Sequence, residues 1–561
     1  MKDLVEQSNT RWRLFDAKKN VMIPPRQYSS KSQIELVEEV LDSLKKHDIV
    51  FIQGAVGTGK SVVALHLIAE YGRGIIQTPT KSLEMQYQKD YHDGDIRIVG
   101  KNKFLDIKQI KGRDNFPCPY YNAQVKCSHK NLPCKRPLRY EYDETRLDVA
   151  RECPFWTPVV RLEIGKYYAE KLKTDFVPYT AVGGRFCFVF NEKTCPYFSQ
   201  YLAYTRDNTA IIMNSAIWEI ETFSGRKASV PIEIIDEGDA YLDSLCFRVT
   251  VSKRRLENIL RKHREHLPSL LIKRIVNEFS NALETAKKIK PAEELPELLS
   301  SLAELSYRTG ELHKITVIAK YMDRAFVFSK DDRLTFYFPE PSFILEKLKS
   351  KSGKLVFMSA TFQKSEILEE VFGIKNYKFC FGETKFLGTV FLRRSGKEVN
   401  VNYKNWKKGR FRRRYFELRD KVILQAKQPK LVLVWGKKYA EGYDFDLNDL
   451  KSIHILEDGD EDWSTVANRG IDLPDDKCRA LILLKCPYPD LNDPILKTMR
   501  MKIGESAFWK YYRDMMERNL IQQVGRGVRH KEDWVEVWSP DNNVHRVLPK
   551  IWNGKLVIEV V

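Results

Sequence analysis

The sequence predicts an α/β fold with parallel sheets, on three grounds. Short apolar runs recur along the chain: Ile49-Val50-Phe51-Ile52, Ile75-Ile76, Ala210-Ile211-Ile212-Met213, Ile232-Glu233-Ile234-Ile235, Leu355-Val356-Phe357-Met358, Leu431–Val434 and Ala480–Leu484. Runs without polar alternation suit strands covered on both faces, as parallel strands are. Helical periodicity lies between them. The stretch Gly54-Ala55-Val56-Gly57-Thr58-Gly59-Lys60-Ser61 joins one such strand to the helix start Val62–Ile68 and fits the pattern G-x-x-x-x-G-K-[ST] in full.

At 561 residues the chain is too long for a single core, so several domains are expected. Residues 43% hydrophobic and 30% charged describe a globular chain rather than a disordered or fibrous one. The 94 Lys and Arg against 75 Asp and Glu give a net charge of +19, which favours a polyanionic partner, nucleic acid before membrane. No apolar run reaches the ~18 residues of a membrane span, and the N-terminus Met1–Glu6 has no apolar signal core. A cytoplasmic protein is the expectation.

In chain order, Ile34, Val37, Val40, Leu41 and Leu44 predict a helix over 32–46, ahead of the Asp48–Gln53 strand and the glycine loop. The run Arg73–Gln77 reads as a strand ending in the turn Thr78-Pro79-Thr80. From about 102 to 200 the α/β pattern fails in a Cys-, Pro- and aromatic-rich segment, an insertion. The pattern resumes at Ala210–Asn214 and Val230–Glu237. A second insertion, over 241–345, reads mainly as helices (254–264, 269–288 and 294–307). A third block opens at Lys354–Thr361 and continues as α/β.

The chemistry starts at the glycine loop. Gly54, Gly57, Thr58 and Gly59 let backbone N–H groups converge on phosphate oxygens at a helix N-terminus; Lys60 reaches the β- and γ-phosphates, and Ser61 ligates Mg²⁺. The second nucleotide signal is Ile234-Ile235-Asp236-Glu237, an apolar strand ending in two carboxylates. Asp236 is placed to hold Mg²⁺ and Glu237 to polarise the attacking water. Near the C-terminus, Gln522-x-x-Gly525-Arg526-x-x-Arg529 sets two guanidiniums three residues apart, a spacing suited to arginine fingers on a γ-phosphate. Six of the ten cysteines (Cys118, Cys127, Cys134, Cys153, Cys187, Cys195) fall between 118 and 195, which points to a metal or redox centre.

Taken in order, Gly54–Ser61, Thr78-Pro79-Thr80, Gly112-Arg113-Asp114-Asn115-Phe116-Pro117-Cys118, Cys195-Pro196-Tyr197-Phe198, Asp236–Asp239, Ser359-Ala360-Thr361 and Gln522–Arg529 resemble the motif set of the XPD/DinG-like iron–sulfur helicases of superfamily 2. The resemblance runs from about Arg26 to Asp541. It implies two RecA-like motor domains, with an iron–sulfur domain and a helical arch inserted in the first. The domains are then 1–101, 201–240 and 346–362 for motor 1, 102–200 for the cluster insertion, 241–345 for the arch and 363–561 for motor 2. It implies ATP, Mg²⁺ and a [4Fe–4S] cluster as cofactors. It further implies 5′→3′ activity on single-stranded and forked DNA, DNA-repair proteins as further partners, no membrane, and a monomer.

Three positions depart from the family's pattern. The family's Asp-Glu-Ala-His box is Asp236-Glu237-Gly238-Asp239 here, an acid replacing the His. Two stretches compete for the fifth motif: Glu441–Phe445 matches literally, but Arg469-Gly470-Ile471-Asp472-Leu473 is followed by a strand and Cys486-Pro487-Tyr488-Pro489, and this order makes Asp472 the nucleotide-site residue. Of the cysteines, Cys118 and Cys195 match the first and last cluster ligands. Cys127 and Cys134 fit the middle pair, and Cys153, in Cys153-Pro154-Phe155-Trp156, is an alternate ligand. A structural zinc site and uncoordinated core thiols are the competing readings. For DNA, the densest basic run is Lys404–Phe416, where aromatics interrupt the cations as single-strand binding would require. A second basic-aromatic zone is Lys101–Lys111. The rival functions are a DNA-stimulated translocase that separates no strands and a DNA-binding scaffold that only holds nucleotide.

Overall fold

The computed structural model describes residues 12–55, 57–100, 103–129, 131–135, 145–245, 247–427, 430–435, 437–439, 453–456, 478–528 and 530–561. Two parallel sheets carry it, as expected of two RecA-like domains. The first has seven strands in the order Tyr377–Phe381, Ile49–Gln53, Lys354–Ser359, Ile232–Asp236, Arg73–Thr78, Thr209–Asn214, Asp106–Ile110. Its central strands are buried on both faces, which is why their sequences are continuous apolar runs. The register pairs Gln53 with Ser359, Asp236 with Met358, and Gln77 with Ile235. Four motif-bearing strand ends therefore finish side by side along one carboxyl edge, where ligands of open α/β sheets bind.

The second sheet runs Ile453–Leu456, Lys430–Trp435, Ala480–Leu483, Trp534–Trp538, Phe386–Arg394, Gly554–Val560, again all parallel. The 20-residue helix Glu505–Val524 links it to the first domain. Between the last strand of the first sheet and the first strand of the second lie only residues 382–385. This joint is pinned: Gly382 N–H donates to Gln53 O at 2.8 Å, and Ala55 N–H of the glycine loop donates to Glu383 O at 2.6 Å.

Local sequence explains the helices that position the site. Ser32 caps the helix Gln33–Lys46 in a capping box with Glu35. The helix Lys60–Tyr71 starts from Gly59 at φ 82°, where a Cβ would also lie 2.4 Å from Gln33 Nε2, so only glycine fits.

Two strands fall outside the bounds expected for the first domain, and one insertion holds more than helices. Tyr377–Phe381 pairs with Ile49–Gln53, so the first domain extends past residue 362. Asp106–Ile110 is an edge strand of the same sheet, so the cysteine insertion begins after it rather than at 102. The second insertion is not only helical. It carries an antiparallel sheet in the order Arg248–Ser252, Arg333–Tyr337, Phe326–Lys330, Lys290–Pro291, beside the helices Lys253–Lys262, Ser269–Thr285 and Pro296–Thr309. The cysteine insertion holds its own three-stranded antiparallel sheet, Val159–Arg161, Gly184–Val189, Phe176–Ala181.

Candidate active site

A cleft of about 1150 Å³ opens at the carboxyl edge of the first sheet. It is lined by Gly57, Gly59, Lys60 and Ser61 of the glycine loop, by Asp236 and Glu237, and by Gln522 and Arg526 of the second domain. Residues predicted far apart in sequence therefore meet in one cavity. Lys60 Nζ donates to Gly54 O at 2.8 Å and Ala55 O at 3.2 Å, folded onto its own loop. Thr58 Oγ1 donates to Ala55 O and closes the loop from inside.

Asp236 ends its strand almost fully buried and accepts the Tyr87 hydroxyl at 3.1 Å. Burial, and after it the charge of Glu237, pushes the Asp236 carboxyl up to about 7, with Lys60 opposing. A carboxylate so placed calls for a cation. The Tyr87 hydroxyl also lies beside Ser61, and Ser61 and Asp236 line the same cleft. Glu237 adopts φ 50°, uncommon for a non-glycine residue; this turns the chain from strand into the helix Gly238–Asp243.

Asp239, where the family has His, is fully buried. It accepts Ser359 Oγ at 2.6 Å and Thr361 Oγ1 at 2.8 Å, and its carbonyl accepts Gln363 Nε2. Across the domain boundary, Arg518 lies 3.6 Å from Asp239, donates to both oxygens of Asp243 at 2.7 and 2.8 Å, and pairs with Asp514 at 2.7 Å. One turn further along the same helix, Gln522 Nε2 donates to Thr361 Oγ1 at 3.1 Å. The Ser359-Ala360-Thr361 turn is thus held between the acid of the first domain and the helix of the second.

Sequence reasoning missed several contributors. Gln33 Nε2 donates to Thr58 O at 3.2 Å, the Tyr28 hydroxyl to Thr58 O at 2.9 Å, and Arg26 Nη1 to Gly57 O at 2.7 Å. Tyr87 and Arg518 were missed too. Only Arg518 left a trace, lying four residues before Gln522 on one helical face. Arg529, Asp472 and both candidates for the fifth motif lie outside the described residues.

The cysteine insertion brings Cys118, Cys127, Cys134, Cys153 and Cys195 around one small cavity of about 20 Å³, with Arg113 and Phe198. Cys187 packs elsewhere, fully buried in the Gly184–Val189 strand, and Cys380, Cys478 and Cys486 are buried in the motor domains. Arg113 Nη1 donates to Cys134 Sγ at 3.5 Å. The Cys195 thiol is held down to about 6, first by a hydrogen bond from Cys127 and then by the N–H groups of Phe198 and Tyr197. Among the described residues no three His, Cys, Asp or Glu side chains converge to hold a single metal ion. The thiols line a small space instead.

The basic run behaves differently from expectation. Trp406, Phe411, Tyr415 and Phe416 pack on one another and turn inward, while Arg410, Arg412, Arg413 and Arg414 on the helix Gly409–Gln425 face solvent. The run offers cations to a polyanion; four of its rings belong to the core.

Over 94% of this chain and 99% of its own, a solved XPD helicase superposes with TM-score 0.60 at 17% identity. The fold is that of the XPD helicases. An apo form of XPD matches with TM-score 0.56 at 14% identity, over 94% of this chain and 100% of its own. S. tokodaii Xpd4 matches with TM-score 0.51 at 13% identity, over 93% and 99%. Residues 465–553 match the helicase C-terminal domain family, so the second domain of the XPD-like fold carries a helicase signature in sequence as well. No curated protein matches the sequence. Among the described residues no helix is long and apolar enough to cross a membrane.

Proposed function

We propose that the chain is an ATP-dependent DNA helicase that moves 5′→3′ on single-stranded DNA and separates duplex. The observation that carries the reading is the single cleft lined by Lys60, Ser61, Asp236 and Glu237 from one motor and by Gln522 and Arg526 from the other. The loop N–H groups and Lys60 bind the phosphates, Lys60 leaving Gly54 O and Ala55 O to do so. Ser61 and Asp236 hold Mg²⁺, which neutralises phosphate charge when bound. Glu237 orients and deprotonates the attacking water. Gln522 and Arg526 approach the γ-phosphate from the second domain, and phosphate release loosens that approach; the resemblance adds Arg529 and Asp472 to the same role. The DNA-facing partners are single-stranded and forked DNA, in keeping with the net charge of +19.

The cysteine cavity would hold a [4Fe–4S] cluster through Cys118, Cys127, Cys134 and Cys195, with Cys153 as the alternate; bound there, it supplies a rigid staple joining four chain segments. Anaerobically purified protein should then be brown, with about four irons per chain; stoichiometric zinc in colourless protein would refute the assignment.

The test of the motor is steady-state ATP turnover with and without single-stranded DNA. Lys60→Ala is expected to lower turnover by at least ~10²-fold, since it removes the cation at the transferring phosphate. Unchanged, DNA-stimulated turnover in that variant would sink the mechanism. Asp239 in place of His supports a second reading, translocation without strand separation; forked substrates distinguish the two.

A further inference from the structure

Outside the nucleotide cleft and the cysteine cavity, a cavity of about 270 Å³ lies at the root of the second insertion. Its walls come from three elements. The helix Ser215–Phe223 of the first domain supplies Phe223; the insertion helix Lys314–Lys320 and the residue after it supply Lys320 and Tyr321. The returning helix Pro341–Lys349 supplies Phe343 and Lys347, with Lys351 just beyond. No described residue lining it is acidic.

The lining has two characters in one small space. Phe343 and Tyr321 stand edge to face at 5.3 Å, and Lys347 lies over both rings, 5.4 Å from Tyr321 and 5.5 Å from Phe343. Lys320 lies 5.3 Å from the Tyr321 ring. Lys351 Nζ donates to Thr222 O at 3.2 Å, and Lys347 has the Glu346 carboxylate at 3.8 Å. Three ammonium groups crowd one mouth, and burial together with Lys320 holds the Lys351 ammonium below its ordinary range. An anion there relieves the crowding. An apolar floor with a cationic rim fits a flat ring bearing negative charge, and the volume is near the lower end, roughly 300 Å³, of small-molecule sites.

We infer that this cavity is a nucleotide-unit site, where a base stacks on one of the perpendicular rings of Tyr321 and Phe343 against the edge of the other, and its phosphate sits on Lys320, Lys347 and Lys351. The source of the unit is a single strand of DNA held at the insertion or a free mononucleotide, both presenting the same chemistry. The strand source rests on the helicase reading above.

The experiment uses the full chain and photo-cross-linking of 5-iodo-deoxyuridine, in one arm within a single-stranded oligonucleotide and in the other as the free 5′-monophosphate. Cross-linked residues are mapped by mass spectrometry. Cross-links at Tyr321 or Phe343 are expected; the arm that gives them names the source. Reversing two rim charges (Lys320→Glu with Lys347→Glu) should remove them and, for the strand source, weaken oligonucleotide binding roughly tenfold and lower its salt slope by about two. Cross-links only elsewhere in both arms, or ones that survive the charge reversal unchanged, overturn the inference. A wild-type chain that binds no single-stranded DNA would instead defeat the helicase reading, and the mononucleotide arm would still decide the cavity.

Discussion

Arg518 shows how a single side chain can join two domains. The residue is 3% exposed, and its guanidinium faces three carboxylates, those of Asp239 and Asp243 from the first motor and Asp514 from its own helix. Burying such a group is tolerable only while its partners remain, because an unpaired buried charge is costly. Arg518→Ala leaves three clustered acids without their cation and should destabilise the chain by about 3–5 kcal/mol in urea titration. Asp239→Asn keeps the shape of the hub and leaves Arg518 its two closer partners, so ~1 kcal/mol is expected. Equal losses in the two variants would mean that Arg518 does not depend on this cluster. The exchange of His for Asp at 239, a puzzle in sequence, has a physical setting here: an acid accepts the two hydroxyls of Ser359 and Thr361 with a guanidinium nearby.

At the scale of elements, the helix Lys60–Tyr71 is tied to the N-terminal segment through His66. The imidazole stacks on Trp12 at 4.2 Å, accepts Arg13 N–H at Nε2 (2.9 Å) and donates from Nδ1 to Val62 O (2.8 Å), which fixes the neutral tautomer. Burial pushes its pKa down from the ordinary 6.5 to about 4. The unfolded chain therefore takes up this proton first as pH falls, so stability is intact above 6.5 and declines from there towards pH 4. Melting temperature against pH should show that decline, and His66→Gln should flatten it; an unchanged slope would rule His66 out as its source. The strands were legible because buried parallel strands need no polar alternation, and the glycine loop because its backbone geometry dictates its residues. The insertion sheet was harder to read: Arg248–Ser252 and Arg333–Tyr337 are short, charged at one end and embedded among strong helical patterns. Arg26, Tyr28 and Gln33 cradle the loop through side-chain bonds to its carbonyls, and such bonds leave no spacing to find.

For the whole molecule, the surplus of cations is a statement about polyanions, and the helix Gly409–Gln425 presents part of it. Arg412 and Arg413 are exposed, so Arg412→Glu with Arg413→Glu should lower the salt slope of DNA binding by about two without altering the melting temperature. Trp406→Ala is expected to act in the opposite way. Its ring packs on Tyr415 and Tyr439, so about 3 kcal/mol of stability goes while the salt slope stays. A salt slope that ignored the arginines would move the DNA contact elsewhere on the surface. The two motors, finally, are tethered by residues 382–385 alone, and the Glu383 carbonyl of that tether grips Ala55 of the glycine loop. A joint this short fastens the second domain directly to the glycine loop, so a rotation between the two domains would be felt at that loop. Two backbone hydrogen bonds, Gly382 to Gln53 and Ala55 to Glu383, carry that coupling, beside the Arg518 and Gln522 side chains that cross between the domains.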